Sequence, residues 1–412
     1  VTVAIPASQS QVLNGVWAVL SGGDGAMWIG TYGGSVFSYK DVVLSRYGKT
    51  EGMLAGSVRA LFEDRRGAIW VGGFDGLSRI AEGQVTHYSR PAGLSSEKVW
   101  ALAQGKSGCL YIGTAGGGLN VLQDDRFRVC RRTDGLPDDH IRALYVDAQD
   151  VLWIGTRSGG LSRLKEGHFF NFLARGGLGA RSIGPMLEAD QERLWMVSNQ
   201  GILRVSRHEL NEFAAGTRES VTHAAYDRNE GLATIEVGGI QPACLKARDG
   251  TLWFGTAKGA AHVNPMELGV NALAPPVIIE EVLIDGEPVR EPKPHAGGTM
   301  PGHEPPAAAA RPAPRPLSRV NLLPHQRRLE FRFAGLSFAA PDKVRFRYRM
   351  EGFDPGWVDG GRVRNASYTR LPPGKYRFHV TACNDSGVWN ETGASLGVIV
   401  APTFHQTWWF PL

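Results

Sequence analysis

The chain has 412 residues, 42% of them hydrophobic, with 53 glycines and a formal net charge of +5. This length suits two or more domains, and apolar alternation that persists between the glycines excludes a disordered or collagen-like chain. The basic surplus is local: residues 318–412 hold 13 Lys/Arg against 7 Asp/Glu, whereas residues 1–271 hold 28 against 27, which excludes bulk nucleic-acid binding by the larger part.

Residues 1–5 (VTVAI) form a short β-rich run in the register of the outermost strand of the repeat that follows. Either this run completes a ring of six, or the ring is larger and includes an upstream blade; a seven-bladed ring is expected. From Met27 onward one motif recurs six times: MWIGTYGGSVFSY, IWVGGFDGLSRI, LYIGTAGGGLNVL, LWIGTRSGGLSRL, LWMVSNQGILRV and LWFGTAKGAAHV. Its aromatic second residue serves as anchor: Trp28, Trp70, Tyr111, Trp153, Trp195 and Trp253. The first five anchors are 41 or 42 residues apart and the last step is 58. A period near 42 with strand-like content predicts one four-stranded sheet per repeat, the signature of a β-propeller.

The second repeat shows why. Residues 58–62, 69–72, 77–80 and 85–88 are β-rich runs divided by Gly, Asp and Ser turns, too short for helices and too close for βαβ crossovers. Three residues before the anchors stand Gly25, Gly67, Gly108, Asp150, Glu192 and Gly250, mostly types that tolerate a turn. Six residues after them stand Gly34, Gly76, Gly117, Gly159, Gly201 and Gly259, where a tight hairpin calls for positive φ. The anchors themselves read as packing between blades, and truncating one to alanine should cost about 3–5 kcal/mol.

After Trp195 the spacing stretches around an insertion at residues 208–216, a candidate short helix, followed by residues 226–232 and 236–239 leading into the last blade. Asn264-Pro265 ends the repeats, giving a propeller over 1–271. Residues 272–317 hold a first sandwich strand (VIIEEVLIDGEPV) and a loop rich in Pro and Ala, too poor in large apolar residues to fold. Short alternating strands resume over 318–412. In the run 344–350, Val344, Phe346, Tyr348 and Met350 point inward and Arg345, Arg347 and Arg349 outward. The pattern predicts an immunoglobulin-like β-sandwich, so the fold class is all-β.

Together the LWIGT-x-x-GGL-x-R-L repeats, FRYRMEGFDPGW, ASYTRLPPGKYRF and the terminal Trp408-Trp409-Phe410 resemble the two-component regulator propeller family followed by its three-tyrosine domain. The resemblance assigns the three tyrosines to Tyr348, Tyr368 and Tyr376. It implies the periplasmic, extracytoplasmic sensor region of an inner-membrane receptor. A membrane helix is expected just after the C-terminus, then a cytoplasmic output such as a histidine kinase or diguanylate cyclase. It also implies a homodimer formed through the sandwich. Departures from the pattern are Tyr111 in place of Trp, Met196-Val197-Ser198 in place of I-G-T, and the Pro/Ala insertion.

In a propeller the hairpins between strands two and three share one face with the connections between blades. The repeats differ most at the fourth and fifth residues after each anchor. Tyr32, Phe74, Asp75, Arg157, Asn199, Gln200 and Lys258 are therefore the candidate ligand-binding residues, suited to a small polar ligand such as an oligosaccharide. The four cysteines (Cys109, Cys130, Cys244, Cys383) lack CxxC spacing, and there is no P-loop, GxSxG or post-strand GxGxxG, so no catalytic residue, metal or cofactor is assigned. The alternative is a secreted propeller lyase or hydrolase, for which His140, beside Asp138 and Asp139, is the candidate base.

Overall fold

Each repeat folds as one antiparallel sheet because its apolar runs are short and its turns are built for reversal. In a computed structural model, residues 15–53, 56–173, 177–189, 192–228, 231–234, 243–268, 271–289, 319–337 and 340–402 are described. The expectations for residues 1–5, 229–230, 236–239, 290–316 and 408–410 lie outside them. The chain divides into two units, Val1–Gly269 and Val270–Leu412.

Among the described residues the first unit is a β-propeller of six sheets, numbered here as blades. Blade one comprises Val16–Ser21, Met27–Thr31, Val36–Lys40 and Val43–Tyr47; blade two comprises Val58–Glu63, Ile69–Gly73, Leu77–Ala81 and Gln84–Tyr88. Blade three comprises Val99–Gln104, Leu110–Thr114, Leu119–Gln123 and Arg126–Cys130; blade four comprises Ile141–Val146, Leu152–Thr156, Leu161–Lys165 and His168–Asn171. Blade five comprises Ile183–Ala189, Arg193–Ser198, Gly201–Ser206 and His223–Tyr226; in blade six, three strands are described, Cys244–Lys246, Leu252–Thr256 and Gly259–Val263. The 208–216 insertion contains helix α1 (Arg207–Ala214), whose N-cap Ser206 accepts from the Glu209 amide.

First strands of successive blades lie side by side. Those of blades two to six together line one cavity of 320 Å³, through Phe62, Leu102, Arg142, Met186 and Cys244 among others. Five consecutive repeats touching one cavity is the radial arrangement that the period predicts, and these strands are the inner ones.

Backbone detail explains the repeat text. All six residues standing three before the anchors have positive φ, including Asp150 (65°) and Glu192 (57°). The glycines six after the anchors divide into two groups. Gly34, Gly76, Gly201 and Gly259 have positive φ, but in blades three and four a positive φ falls one residue later, at Gly118 and Gly160. Gly117 and Gly159 are needed for space instead: a Cβ would lie 2.5 Å from Ser95 Oγ in the first case and 2.9 Å from the Pro137 carbonyl carbon in the second. The glycine of the LWIGT run has a similar cause. A Cβ on Gly30, Gly72 or Gly113 would lie 2.4–2.5 Å from Val58, Val99 or Ile141, the first apolar residue of the next inner strand.

The anchors do not all behave alike. Trp153 is fully buried and Trp70 and Trp195 nearly so; Trp153 stacks on Phe172, just past its outer strand, Trp195 stacks on Tyr226 and Trp70 lies tilted on Tyr88. Trp28 and Tyr111 are half-buried. Trp253, expected to pack between blades like the rest, is 40% exposed and packs on His262 of its own sheet, 4.9 Å between centroids. In blades two and four an aspartate six residues before the anchor accepts two turn amides and the indole N–H: Asp64 from Trp70 at 2.8 Å, Asp147 from Trp153 at 2.9 Å. Ala189 holds that place in blade five, and the buried Trp195 Nε1 has no partner. Because Trp153→Phe removes a hydrogen bond to a carboxylate and Trp195→Phe removes none, the first should destabilise by about 1–3 kcal/mol more than the second. Urea denaturation of the two variants measures the difference.

The second unit is a β-sandwich. One sheet runs in the order Glu287–Pro288, Val277–Ile284, Arg328–Gly335, Asn365–Thr369; the other runs Arg319–Leu322, Trp389–Val400, Gly374–Cys383, Arg345–Glu351, Val358–Gly361. Their inner faces meet in a core of Leu329, Phe331, Phe333, Phe346, Met350 and Phe378, with Phe331 and Phe378 stacked at 3.8 Å. Arg319–Leu322 pairs parallel to the end of Trp389–Val400.

The three tyrosines have distinct posts. Tyr348 and Tyr368 meet edge to face in the core, and the Tyr368 hydroxyl donates to Asp354 at 2.7 Å; burial first, then that carboxylate, raise its pKa. The Tyr376 hydroxyl donates to the Pro372 carbonyl four residues upstream at 2.8 Å, the tyrosine-corner arrangement of sandwich folds. Val344, Phe346 and Met350 are buried and Tyr348 packs on the core, as the alternation requires. On the outward face, Arg347 lies between the rings of Trp357 and Trp389 (4.9 and 4.6 Å), and Arg349 also covers Trp357. The basic stripe is thus a cation–aromatic ladder, not a row of free charges. Among the described residues no helix is long and apolar enough to cross a membrane.

Candidate functional site

The hairpin tips are brought to the inner strands by a repeated backbone bond. The fourth residue after the anchor donates its amide to the carbonyl just ahead of the inner strand: Tyr32 to Gly15, Ala115 to Lys98, Arg157 to His140 and Asn199 to Ser182, at 2.8–3.3 Å. At the same place every inner strand of blades one to five slips register by one residue. Such a bulge re-aims the extra side chain. The bulged residues are Trp17, Arg59, Trp100, Arg142 and, in blade five, Gly184-Pro185. At one end of the inner strands the protein therefore sets a collar that reads aromatic, cation, aromatic, cation, gap.

In the first sector the collar is continuous across two blades. Tyr32, 60% exposed, packs on Trp17 with 4.9 Å between centroids. The Arg59 guanidinium lies 3.9 Å over the Trp17 ring and 5.0 Å over Phe74. Burial lowers the Arg59 pKa, and its buried Nε has no hydrogen-bond partner. The next bulged residue, Trp100, has a buried indole nitrogen that is likewise unpartnered.

The opposite sector is polar. Arg142 Nη1 donates to Ser182 Oγ at 2.9 Å, and the Ser182 amide donates to Asn199 Oδ1 at 3.2 Å. Arg142 also lines the cavity, and burial, then the Arg157 guanidinium beside it, lower its pKa. Asp138 accepts from Ser158 N and Oγ at 2.8 and 2.6 Å and from the His140 amide at 3.0 Å. Burial pushes that carboxyl up, but these hydrogen bonds outweigh it and hold its pKa below the usual range. His140 Nδ1 stands 3.5 Å from Asp138, a carboxylate already engaged by Ser158. In the lining of the same cavity, burial pushes the Cys244 thiol up to about 12, so it is a protonated wall.

Of the residues expected from the sequence, Tyr32 and Phe74 join one cluster, and Arg157 and Asn199 the other. Asp75, Gln200 and Lys258 are exposed; Gln200 and Lys258 donate their amides to Ser198 and Thr256 of their own hairpins. The residues that sequence reasoning missed are Trp17, Arg59, Trp100 and Arg142. A signal for them existed, since each stands 11 residues before its anchor.

Comparison with known proteins gives the same two parts. The Y_Y_Y domain matches residues 337–401, and the two component regulator propeller matches residues 52–75 and 135–158. A histidine kinase of Formosa agariphila is 25% identical over 228 residues, 55% of this chain and 15% of that protein. Among solved structures, the extracellular domain assigned to a hybrid two component system of B. thetaiotaomicron superposes with a TM-score of 0.61. The two are 23% identical over 94% of this chain and 50% of that one. A virginiamycin B lyase of Staphylococcus aureus gives 0.48 at 14% identity, covering 62% and 82%. This chain thus spans only a fraction of its histidine kinase relative and half of the solved ectodomain. It carries two component regulator propeller repeats in its first unit and a Y_Y_Y domain in its second.

Proposed function

We propose that this chain is the extracytoplasmic ligand-sensing region of a transmembrane signalling receptor. The collar holds a small polar ligand, and the sandwich relays occupancy to a cytoplasmic output, a histidine kinase. The reading is supported by the pairing of a propeller with a Y_Y_Y domain and by the likeness to a histidine kinase. The observation that carries the ligand site is the Tyr32–Trp17–Arg59–Phe74 stack at the collar, an exposed aromatic platform stiffened by a cation. Flat apolar faces beside hydrogen-bond donors suit an oligosaccharide, whose rings have one apolar face and a polar rim. Arg157 and Asn199 extend that surface. Relay by a homodimer through the sandwich completes the proposal.

The test is a titration of the chain with a panel of oligosaccharides, read by tryptophan fluorescence and by the rise in melting temperature that binding produces. Trp17→Ala and Tyr32→Ala are expected to weaken binding about tenfold or more each, the loss of a stacking contact. Unchanged binding in both variants would remove the collar from the mechanism. A single monomeric species at high protein concentration, with and without the bound sugar, would remove the dimer.

A further inference from the structure

The polar sector of the collar contains a pair of like charges that the fold itself does not neutralise. Arg142 is half-buried on its bulge, and its one side-chain partner among the described residues is the neutral Ser182 hydroxyl. Arg157 stands beside it on the tip of the same blade, held there by its backbone bond to His140. The acid that meets this hairpin, Asp138, is turned to Ser158 and His140. The same unit shows how a structural arginine is treated: Arg207 is buried and meets Asp147, Glu188 and Glu192. A guanidinium taken from water and given no carboxylate carries an unrepaid desolvation cost, and an arriving anion is what repays it.

The space for one is present. Blade five has Gly184 at its collar position and so brings no side chain there. Arg142 borders the 320 Å³ cavity directly. Guanidinium groups present paired N–H donors matched to the two oxygens of a carboxylate or a sulfate ester.

We infer that the sector between blades four and five is an oxyanion subsite, in which Arg142 and Arg157 hold a carboxylate or sulfate group of a ligand whose ring stacks on the aromatic part of the collar. The inference rests on the collar reading above and adds the charge class of the ligand. Ser182, positioned by Asn199, orients the Arg142 guanidinium. The ligand is thus gripped by stacking on one side of the collar and by charge on the other.

The experiment titrates the chain with a galactose disaccharide, the matching galacturonate disaccharide and a sulfated galactose disaccharide, at low and high salt. One or both acidic sugars are expected to bind about tenfold tighter than the neutral one, the usual gain for a charge-assisted pair. That advantage should shrink at high salt and disappear in Arg142→Gln and Arg157→Gln, each of which should weaken the acidic sugars by a larger factor than the neutral one. Whether the carboxylate or the sulfate arm shows the gain identifies which oxyanion is read. Arg157 is exposed, so its variant carries the test if Arg142→Gln folds poorly. Equal binding of acidic and neutral sugars overturns the subsite while leaving the collar intact, and an acidic preference that survives both arginine variants also overturns it. Failure of every sugar to bind removes both readings together.

Discussion

Replacing Arg207 with methionine is expected to destabilise the first unit by about 3–5 kcal/mol, the usual consequence of stranding a buried charge. Arg207 begins helix α1, in the insertion that lengthens the fifth repeat, and its side chain is 5% exposed. Its Nη1 lies 3.3 Å from Asp147, a fully buried carboxylate between the second and first strands of blade four; its Nε reaches Glu188 of blade five at 3.0 Å and its Nη2 reaches Glu192 at 2.8 Å. Glu188 in turn accepts from Tyr145 of blade four at 3.0 Å. One guanidinium therefore joins a helix and two blades. Asp147 keeps its bonds from two amides and the Trp153 indole, but loses its counter-charge. Urea denaturation of Arg207→Met, Asp147→Asn and the double variant measures the coupling: the double variant should lose clearly less than the sum of the singles. A loss below about 1 kcal/mol for Arg207→Met would mean that the cluster is solvated and acts like a surface ion pair.

Anchor truncations should give sharply unequal results. Trp153→Ala is expected to cost about 3–5 kcal/mol, since it empties a fully enclosed volume against Phe172 and also removes the indole bond to Asp147, leaving Oδ2 to Arg207 alone. Trp253→Ala should cost about 1 kcal/mol, because a ring that is 40% exposed and packed on one histidine removes little apolar area from water. Thermal unfolding of both variants separates the two. Equal losses would show that repeat position, not local burial, determines what an anchor contributes.

The contrast shows how much of the molecule its sequence discloses. Strand order, hairpin positions and inner faces were legible because the same text is written at a fixed period, so each reading was made several times over. Positive φ at Asp150 and Glu192 followed from Gly25, Gly67 and Gly108 at the equivalent position. The alternation of Phe346, Tyr348 and Met350 likewise set the sandwich face. The site was half legible. Tyr32, Phe74, Arg157 and Asn199 stand out by variation among the tips, but Trp17, Arg59, Trp100 and Arg142 do not. Their place in the collar depends on a two-for-one register slip, which simple alternation of apolar and polar residues does not encode. The Arg207–Asp147 bond spans 60 residues of sequence, and nothing in either neighbourhood names the other. Glycine at 117 and 159 was foreseen for the wrong reason, since there the requirement comes from the preceding interblade connection and not from φ.

The missing side chain in the LWIGT run has a lasting effect on the architecture. At Gly30, Gly72 and Gly113 the following module nests directly against bare main chain, so the pitch from one module to the next is set by a shared mould. Val197 occupies that place in blade five and forbids the same nesting. Units upstream of this joint share one mating surface and are interchangeable in principle by duplication or exchange. The long insertion carrying helix α1 packs on blades four and five, one joint before the place where that uniformity ends, so the added part is braced by a joint of the regular kind.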